Sequence, residues 1–470
     1  MKIILVNPPI KYSVNPLPPL GIAYIAAVLR KNGFTDTAII DGAGEFLNER
    51  EILNRIIDAK PQIVGLSVMS NVWSVSSRVC RLIKEKLPDV FICWGGAHAT
   101  ALPEHCLSSG AVDLVFRHEA EFSFLEVVKR IELNSDFHDI NGICYIKDGK
   151  TVCNPRTPRI RDLDDLPLPA RDLLPMNRYA TSSWFRTRGV KSTVIFATRG
   201  CPYDCTYCAN KVCWGDRKFV LRNTGKVVDE IQMLIKRYGY NGFQFSDECI
   251  TASRKYIIRF CREILSRKIR ISWVCSSFVT NITYDILALM KQAGCEFINF
   301  GIESGCYEVR KRMKKDISDE SIYSAVLWSK KVGLRVGCCF MLGCPDETAD
   351  EAKQTINMAR KLNPHEVAFN ILVPYPGTEL YYKYIAPKNL DINWDEAMSF
   401  DPLHPDTPKV FFNCSKLSDT RLISLYREAR RKVELNPFAI NMMLNRLRHA
   451  SSLKHLWVIV SGGIKLLFKR

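Results

Sequence analysis

The chain has 470 residues, 47% hydrophobic and 24% charged, a globular composition with room for two or three domains that each bury a core. No apolar run approaches the roughly 20 residues of a membrane-spanning helix, and Met1-Lys2 leads into only four apolar residues before Asn7-Pro8-Pro9, which reads as a buried strand rather than a secretory leader. Net charge is +17, and residues 421–470 supply +9 of it, with 11 Lys/Arg against two Glu; such a tail suits an anionic surface or is simply a solvated helix face.

Residues 1–140 alternate short apolar runs with helical patterns. Strands are expected at 2–6, 38–41, 62–69, 90–94 and 112–116, and helices at 20–29, 51–59, 72–87 and 122–132. This spacing gives a doubly wound parallel sheet, whose ligands lie beyond the carboxyl ends of its strands. The loops there are Asn7-Pro8-Pro9, Ser67-Val68-Met69-Ser70 and Trp94-Gly95-Gly96-Ala97-His98-Ala99-Thr100. Their glycines and small hydroxyl residues would let a large flat ligand approach the backbone. Gly95-Gly96 alone also reads as a tight strand-to-helix turn, and a lone loop histidine such as His98 is more often a hydrogen-bonding group than a metal ligand.

Residues 141–190 read as a connector. A small hairpin over 142–146 and 151–153 turns at Asp148-Gly149. Residues 160–175 then carry Asp162, Asp164 and Asp165 with Pro167, Pro169 and Pro175, a semi-rigid extended chain suited to packing across two domains.

Residues 191–390 alternate again. Strands are expected at 193–197, 242–246, 271–275, 297–301, 334–342 and 366–372, and helices at 224–238, 254–266, 283–293, 318–331 and 349–362. Six such units predict a partial (β/α)6 barrel with its reactive groups at the carboxyl ends of the strands. Residues 391–470 read as mainly helical, with loops around 402–408 and helical periodicity over 422–433. Residues 453–468 join an apolar run to Lys465, with Lys469 and Arg470 beyond. That segment either lies on an anionic membrane surface or packs on the barrel as a terminal helix.

The chemistry concentrates in Arg199-Gly200-Cys201-Pro202-Tyr203-Asp204-Cys205-Thr206-Tyr207-Cys208. Thiolates at C-x3-C-x2-C suit zinc or an iron–sulfur cluster, and a chain with 18 cysteines would show this spacing by chance about 0.03 times. Gly200, Pro202 and Asp204 favour the compact loop that three convergent sulfurs require. Three ligands leave one metal open, as in a reactive site, unless a distant fourth ligand closes a zinc knuckle. With no leader in view, the cysteines read as reduced thiols in a cytoplasm.

This motif, with an aromatic before its last cysteine, resembles that of the radical S-adenosylmethionine (SAM) superfamily. The resemblance implies that Cys201, Cys205 and Cys208 hold a [4Fe-4S] cluster, that SAM chelates its fourth iron and that Tyr207 lies near the adenine. It places Asp247 and Glu248, in Ser246-Asp247-Glu248, against the SAM amine. Read from the residues alone, Asp247 is equally a helix N-cap. Glu303 and Ser304, in Gly301-Ile302-Glu303-Ser304-Gly305, would stand near the ribose. Lys315 would meet the SAM carboxylate or belong to a solvated charge run. Leu342-Gly343-Cys344-Pro345-Asp346-Glu347-Thr348 resembles the family's turn past the adenine. Pro374-Tyr375-Pro376-Gly377-Thr378-Glu379-Leu380 resembles a segment at the barrel mouth.

The first 140 residues resemble the cobalamin-binding domain of B12-dependent radical SAM enzymes, the group that includes class B methylases and anaerobic magnesium-protoporphyrin cyclases. The matching stretches are Asn7-Pro8-Pro9, Pro18-Pro19-Leu20-Gly21 and Gly95-Gly96-Ala97-His98-Ala99-Thr100. By this resemblance Asn7, Pro8, Ser67, Gly95, Gly96, His98 and Thr100 touch cobalamin. The D-x-H-x-x-G loop of other cobalamin carriers is missing after the first strand. Its nearest match, Asp136-Phe137-His138-Asp139-Ile140-Asn141, is at the wrong end of the domain, so the corrin is expected base-off with no protein imidazole beneath it. The group usually shows R-G-E-G-E where this chain has Arg117-His118-Glu119-Ala120-Glu121.

The reading that follows is a cobalamin-dependent radical SAM methyltransferase, acting on an unactivated carbon through a 5′-deoxyadenosyl radical and methylcobalamin. The alternative is the same initiation followed by ring closure or rearrangement without methyl transfer. A tRNA methylthiotransferase would need three further early cluster cysteines and a terminal β-domain. Cys80, Cys93 and Cys106 are embedded in the doubly wound pattern, and the tail reads as helical, so this ranks lower. A cobalamin carrier or sensor would not need the cysteine loop. The expected partners are a small-molecule or lipid-like substrate and an electron donor such as flavodoxin or ferredoxin, with no nucleic acid. The expected location is the cytoplasm, with the tail touching the inner face of the membrane.

Overall fold

The computed structural model describes residues 1–10, 16–179, 185, 189–388, 390, 392–397, 400–401 and 404–434. Its first sheet has seven strands: β1 (Ile3–Asn7), β2 (Thr37–Asp41), β3 (Ile63–Ser67), β4 (Phe91–Gly95), β5 (Leu114–Phe116), β6 (Ile143–Lys147) and β7 (Lys150–Cys153), in the order β2-β1-β3-β4-β5-β6-β7. The first five are parallel. Ile3 to Val6 are all buried, as befits a strand covered on both faces. Helices α1 (Leu20–Lys31), α2 (Glu49–Ala59), α3 (Trp73–Lys86), α4 (Ala97–Ala101), α5 (Pro103–Leu107) and α6 (Glu121–Glu132) connect the strands. α2 starts at a capping box made by Asn48 and Glu51. The order reverses between β1 and β3, so the ligand crevice opens where Asn7 and Ser67 end their strands.

The hairpin assigned to the connector is part of this sheet. β6 pairs antiparallel with β5, and β7 with β6. Direct cross-strand pairing brings Cys144 and Cys153 together as a disulfide, so the expectation of reduced thiols fails for these two. The other sixteen cysteines are free.

The second sheet is β8 (Ser192–Ile195), β11 (Gly242–Phe245), β12 (Ser272–Ser277), β13 (Cys295–Glu303), β14 (Arg335–Leu342) and β15 (Glu366–Ile371), after a short antiparallel ribbon of β9 (Thr198–Arg199) and β10 (Val220–Leu221). Its strands are all parallel and strictly sequential. Right-handed crossovers then put every helix on one face, and the twisted sheet curls into a partial barrel. The elements after β9 are α7 (Asn210–Trp214), α8 (Thr224–Tyr238), α9 (Arg254–Ser266), α10 (Tyr284–Gln292), α11 (Tyr307–Arg312), α12 (Asp319–Lys331), α13 (Ala349–Leu362), α14 (Glu379–Tyr384) and α15 (Asp419–Ala429). Phe245, Phe260, Trp273, Phe300 and Phe340 pack the space between sheet and helices. Alternation leaves Asn299, Gly301 and Glu303 of β13 with Cys339 and Met341 of β14 on the opposite, inner face.

The connector is bonded to both halves. Ala170 N–H donates to Ala23 of α1 (3.0 Å). Buried Arg171 reaches the Val194 carbonyl (2.8 Å) and Glu230 (3.1 Å), whose other oxygen takes Arg222 (2.6 Å). Leaving these arginines unpaired would cost about 3–5 kcal/mol. Beyond the barrel, β16 (Phe400–Asp401) and β17 (His404–Pro408) pair where loops were expected, and α15 continues into a π-helical turn, Arg430–Glu434. Among the described residues no helix is long and apolar enough to cross a membrane. The tail segment 453–470 lies outside the described residues.

Candidate cluster and cofactor site

The cysteine loop leaves β9 through Gly200, at φ +91°, where a side chain would run into the Lys218 carbonyl. Only glycine fits there. The loop is then held at both faces. Thr206 N–H donates to the Met313 carbonyl (3.1 Å), and the Thr206 carbonyl accepts from Leu380 N–H (3.3 Å). Tyr203 stacks on Phe278, centroids 3.8 Å apart, and its hydroxyl reaches Asn281 (2.5 Å). Cys201, Cys205 and Cys208 are free thiols lining one cavity of about 510 Å³. Burial pushes Cys201 up to about 12 and raises Cys205 and Cys208. They therefore stay protonated until metal displaces the proton. Among the described residues no three His, Cys, Asp or Glu side chains converge tightly enough for a single metal ion.

Beside the loop, Lys315 is only 5% exposed. Its Nζ lies 3.4 Å from both the Tyr207 hydroxyl and a Glu303 carboxylate oxygen, and 4.7 Å from the Phe278 ring centroid. Glu303 has φ +71° next to a bulge between β13 and β14. A non-glycine residue held in that region stores strain of about 1–3 kcal/mol, which is common at functional sites.

The first sheet contributes a second cavity, about 220 Å³, at the carboxyl ends of β1, β3 and β4. Its walls include Gly21, Gly65, Ser67, Gly95 and Gly96 with Leu5, Phe116 and Phe124. A Cβ on Gly95 would meet nothing nearer than 3.9 Å, and one on Gly21 nothing within 4 Å. The far wall is charged and comes partly from the barrel: Glu119, Glu121, Arg199 and Trp214. Small walls open to a flat ring fit a cobalamin-binding edge.

Residues 195–359 match the Radical SAM superfamily and residues 10–128 match the B12 binding domain. An uncharacterized methyltransferase of Pyrococcus horikoshii is 32% identical over 434 residues, covering 91% of this chain and 92% of that protein. The chain belongs to the B12-binding-domain radical SAM enzymes. An anaerobic magnesium-protoporphyrin IX monomethyl ester cyclase of Rubrivivax gelatinosus is 30% identical over 77% of this chain and 66% of its own length. The fold is also that of the methyltransferase TsrM from Kitasatospora setae, solved with cobalamin and a [4Fe-4S] cluster, at TM-score 0.75 and 16% identity over 98% of this chain and 99% of that one. As a B12-binding-domain radical SAM enzyme the chain uses a [4Fe-4S] cluster, SAM and cobalamin.

The individual residues divide sharply within that family frame. Ser67, Gly95 and Gly96 wall the apolar cavity, and Thr100 lines the cluster cavity. Asn7 and Pro8 line neither; the Asn7 amide donates to Asp41 (2.7 Å) and braces β1 against β2. His98 is the hydrogen-bonding group that the sequence favoured over a metal ligand. It is buried, its Nδ1 3.0 Å from Ser70 Oγ and its Nε2 3.1 Å from His105 Nδ1, so neither nitrogen is free for cobalt. Burial first, then His105, pushes it down to about 3.

Asp247 is no N-cap; α9 is capped by Ser253. It is buried and accepts from Ala197 N–H (3.1 Å) and the Thr198 hydroxyl (2.6 Å), bracing the bend that enters the cluster loop. Burial pushes it up to about 7 against those hydrogen bonds. Glu248 accepts from Trp214 Nε1 (2.5 Å), and its other oxygen is buried without a hydrogen-bond partner. Ser304 is buried, bonded to Thr355 (3.0 Å) and accepting from Cys306 N–H (3.1 Å). Lys315, by contrast, leaves the charge run for the buried pair with Glu303.

His118 and Ala120, where the sequence departs from the R-G-E-G-E pattern it resembles, differ in what their backbones demand. His118 has φ +63°, a left-handed conformation that glycine adopts without strain. Its N–H donates to Thr100 Oγ1 (3.0 Å), its Nδ1 donates to the Val212 carbonyl (3.0 Å), and it lines both cavities. Ala120 has an ordinary right-handed backbone that asks for no glycine. Arg199 and Trp214 flank the cysteine motif, but nothing local signalled that Arg199 would meet Glu119 and Glu121 or that Trp214 would lie beside its guanidinium.

Proposed function

We propose that the protein is a cobalamin-dependent radical SAM methyltransferase that methylates an unactivated carbon of a small-molecule or lipid-like substrate. The observation that carries it is one chain joining a three-thiol loop to a glycine-walled cavity whose far wall is the base of that loop. Bound in these sites, the cluster would supply the electron that cleaves SAM and the corrinoid would carry the methyl group. Cys201, Cys205 and Cys208 would hold three irons. Lys315 would orient the SAM carboxylate and Glu303 the ribose hydroxyls. Tyr207, partly buried beside them, would exclude water from the adenine side. The uncommitted oxygen of Glu248 suits the SAM ammonium.

The cavity of about 220 Å³, walled by Gly21, Gly65, Gly95 and Gly96, would receive the detached base of the corrinoid. Residues 1–140 would bind the corrinoid and residues 191–390 SAM, with an electron donor of the flavodoxin or ferredoxin type. The tail, 453–470, would touch anionic lipid, and vesicle sedimentation with and without it checks this.

The similarity to a cyclase keeps ring chemistry as the second reading. Methyl-labelled SAM separates the two in anaerobic protein supplied with cobalamin. Label on the protein-bound corrinoid is expected. Cleaved SAM with an unlabelled corrinoid favours ring chemistry, and a protein that cleaves SAM but retains no corrinoid overturns both.

A further inference from the structure

Arg199 enters the cysteine loop and Trp214 ends the helix that leaves it, and both are walls of the first domain's apolar cavity. Their attachments are buried charges. Arg199 binds Glu119 (2.9 Å), from the loop after β5, and Glu121 (2.7 Å), the first residue of α6. Glu119 also takes Arg159 Nε (3.3 Å) and the Ile160 N–H (2.9 Å). The guanidinium carbons of Arg159 and Arg199 lie 4.8 and 5.5 Å from the Trp214 ring centroid. The side chains of Glu119, Glu121, Arg159 and Arg199 are each less than 9% exposed. Trp214 carries the connection on to Glu248.

A cavity ligand therefore rests against both ends of the cluster loop at once. Breaking one of these buried pairs would leave its partner charged and without water, at the cost of its desolvation. A shift of Arg199 would therefore be felt at Glu119, Glu121 and Trp214 together, a contiguous route by which two sites can be coupled.

We propose that cofactor occupancy of the cavity and cluster occupancy of the cysteine loop are coupled through Arg199 and Trp214. A ring seated in the cavity holds both ends of the loop in its ligating arrangement, and a loaded cluster holds the cavity wall in place. The two effects are equal by thermodynamic reciprocity. Arg199 and Trp214 are positioning residues here, and the inference rests on the reading that the cavity takes part of cobalamin.

The test measures cobalamin affinity of the full chain, anaerobically, with the cluster reconstituted and after its removal by a chelator. The loaded protein should bind about 5- to 150-fold more tightly. Glu121→Gln and Trp214→Phe should bring that ratio toward one, whatever their absolute affinities. Equal affinities in the two wild-type states would overturn the proposal, as would a ratio that survives both substitutions. Should a variant fold poorly, the wild type still decides: the EPR spectrum of its reduced cluster should change when cobalamin is added, and an unchanged spectrum overturns the coupling. Wild-type protein that binds no cobalamin in either state would overturn the functional reading with it.

Discussion

The two sheets treat their carboxyl edges in opposite ways. The first keeps its edge small and apolar, with Gly65, Gly95 and Gly96 around a cavity and its one buried edge histidine, His98, bonded inward. The second crowds its edge with ionisable groups: three thiols, Asp247, Glu248, and the Glu303–Lys315 pair. An apolar edge admits a large ring by removing nonpolar surface from water. A charged edge orients a charged co-substrate and a metal, and its groups gain strength from being buried. The charged strip where the edges meet, Glu119, Glu121 and Arg199, is the structural seam between the two tasks.

The comparison breaks most completely at the thiols. Replacing Cys201, Cys205 and Cys208 together by Ala should abolish iron–sulfur absorbance and SAM cleavage, while cobalamin still binds the first domain about 5- to 150-fold more weakly. A full cluster in that variant would refute the assignment.

A smaller effect should follow pH at the charged edge. Glu347 is buried, accepts Gly343 N–H (2.7 Å) and Cys344 N–H (3.2 Å), and leaves its other oxygen unbonded. Burial pushes it from 4.5 up to about 7. The folded chain thus keeps a proton that the unfolded chain releases. Its stabilising contribution is complete below about pH 4.5 and is lost as pH rises toward about 7. The slope in that window is at most about 1.4 kcal/mol per pH unit for one group. Asp247 acts in the same direction. Denaturant unfolding across this range should show a shallower slope for Glu347→Gln, and parallel curves would contradict it.

The apolar edge should give the smallest and most selective change. Gly95→Val fills open space, with the nearest atoms at 3.9 Å. It should weaken cobalamin binding about tenfold or more, ~1.4 kcal/mol, and leave stability within about 0.5 kcal/mol. Cluster content should be unchanged. Undiminished cobalamin binding would move the base site out of this cavity.

Much of this was legible because it is local. The candidate cluster ligands were read from spacing within ten residues, beside Gly200, where a side chain would meet the Lys218 carbonyl. Helices α9 and α13 were expected at 254–266 and 349–362, where they are found, because apolar periodicity reports one buried face. The same periodicity misplaced the hairpin, since nothing within 142–153 says which strand it will join.

What the tertiary structure alone decided is which charged and polar groups lose their water. Lys315 belongs to a run of basic residues, yet it is buried against Glu303 while its neighbour Lys314 stays at the surface with Glu379. Ser67 ends β3 and His98 lies in α4, both at the carboxyl edge of the first sheet, yet His98 is bonded inward and Ser67 lines the cavity. Glu119 and Arg199 are eighty positions apart and meet within 2.9 Å. Spacing along the chain carries the periodicity of an element and the geometry of a short loop. Burial and ion pairing depend on what packs against that element, and here this is a second sheet folded from a distant part of the chain.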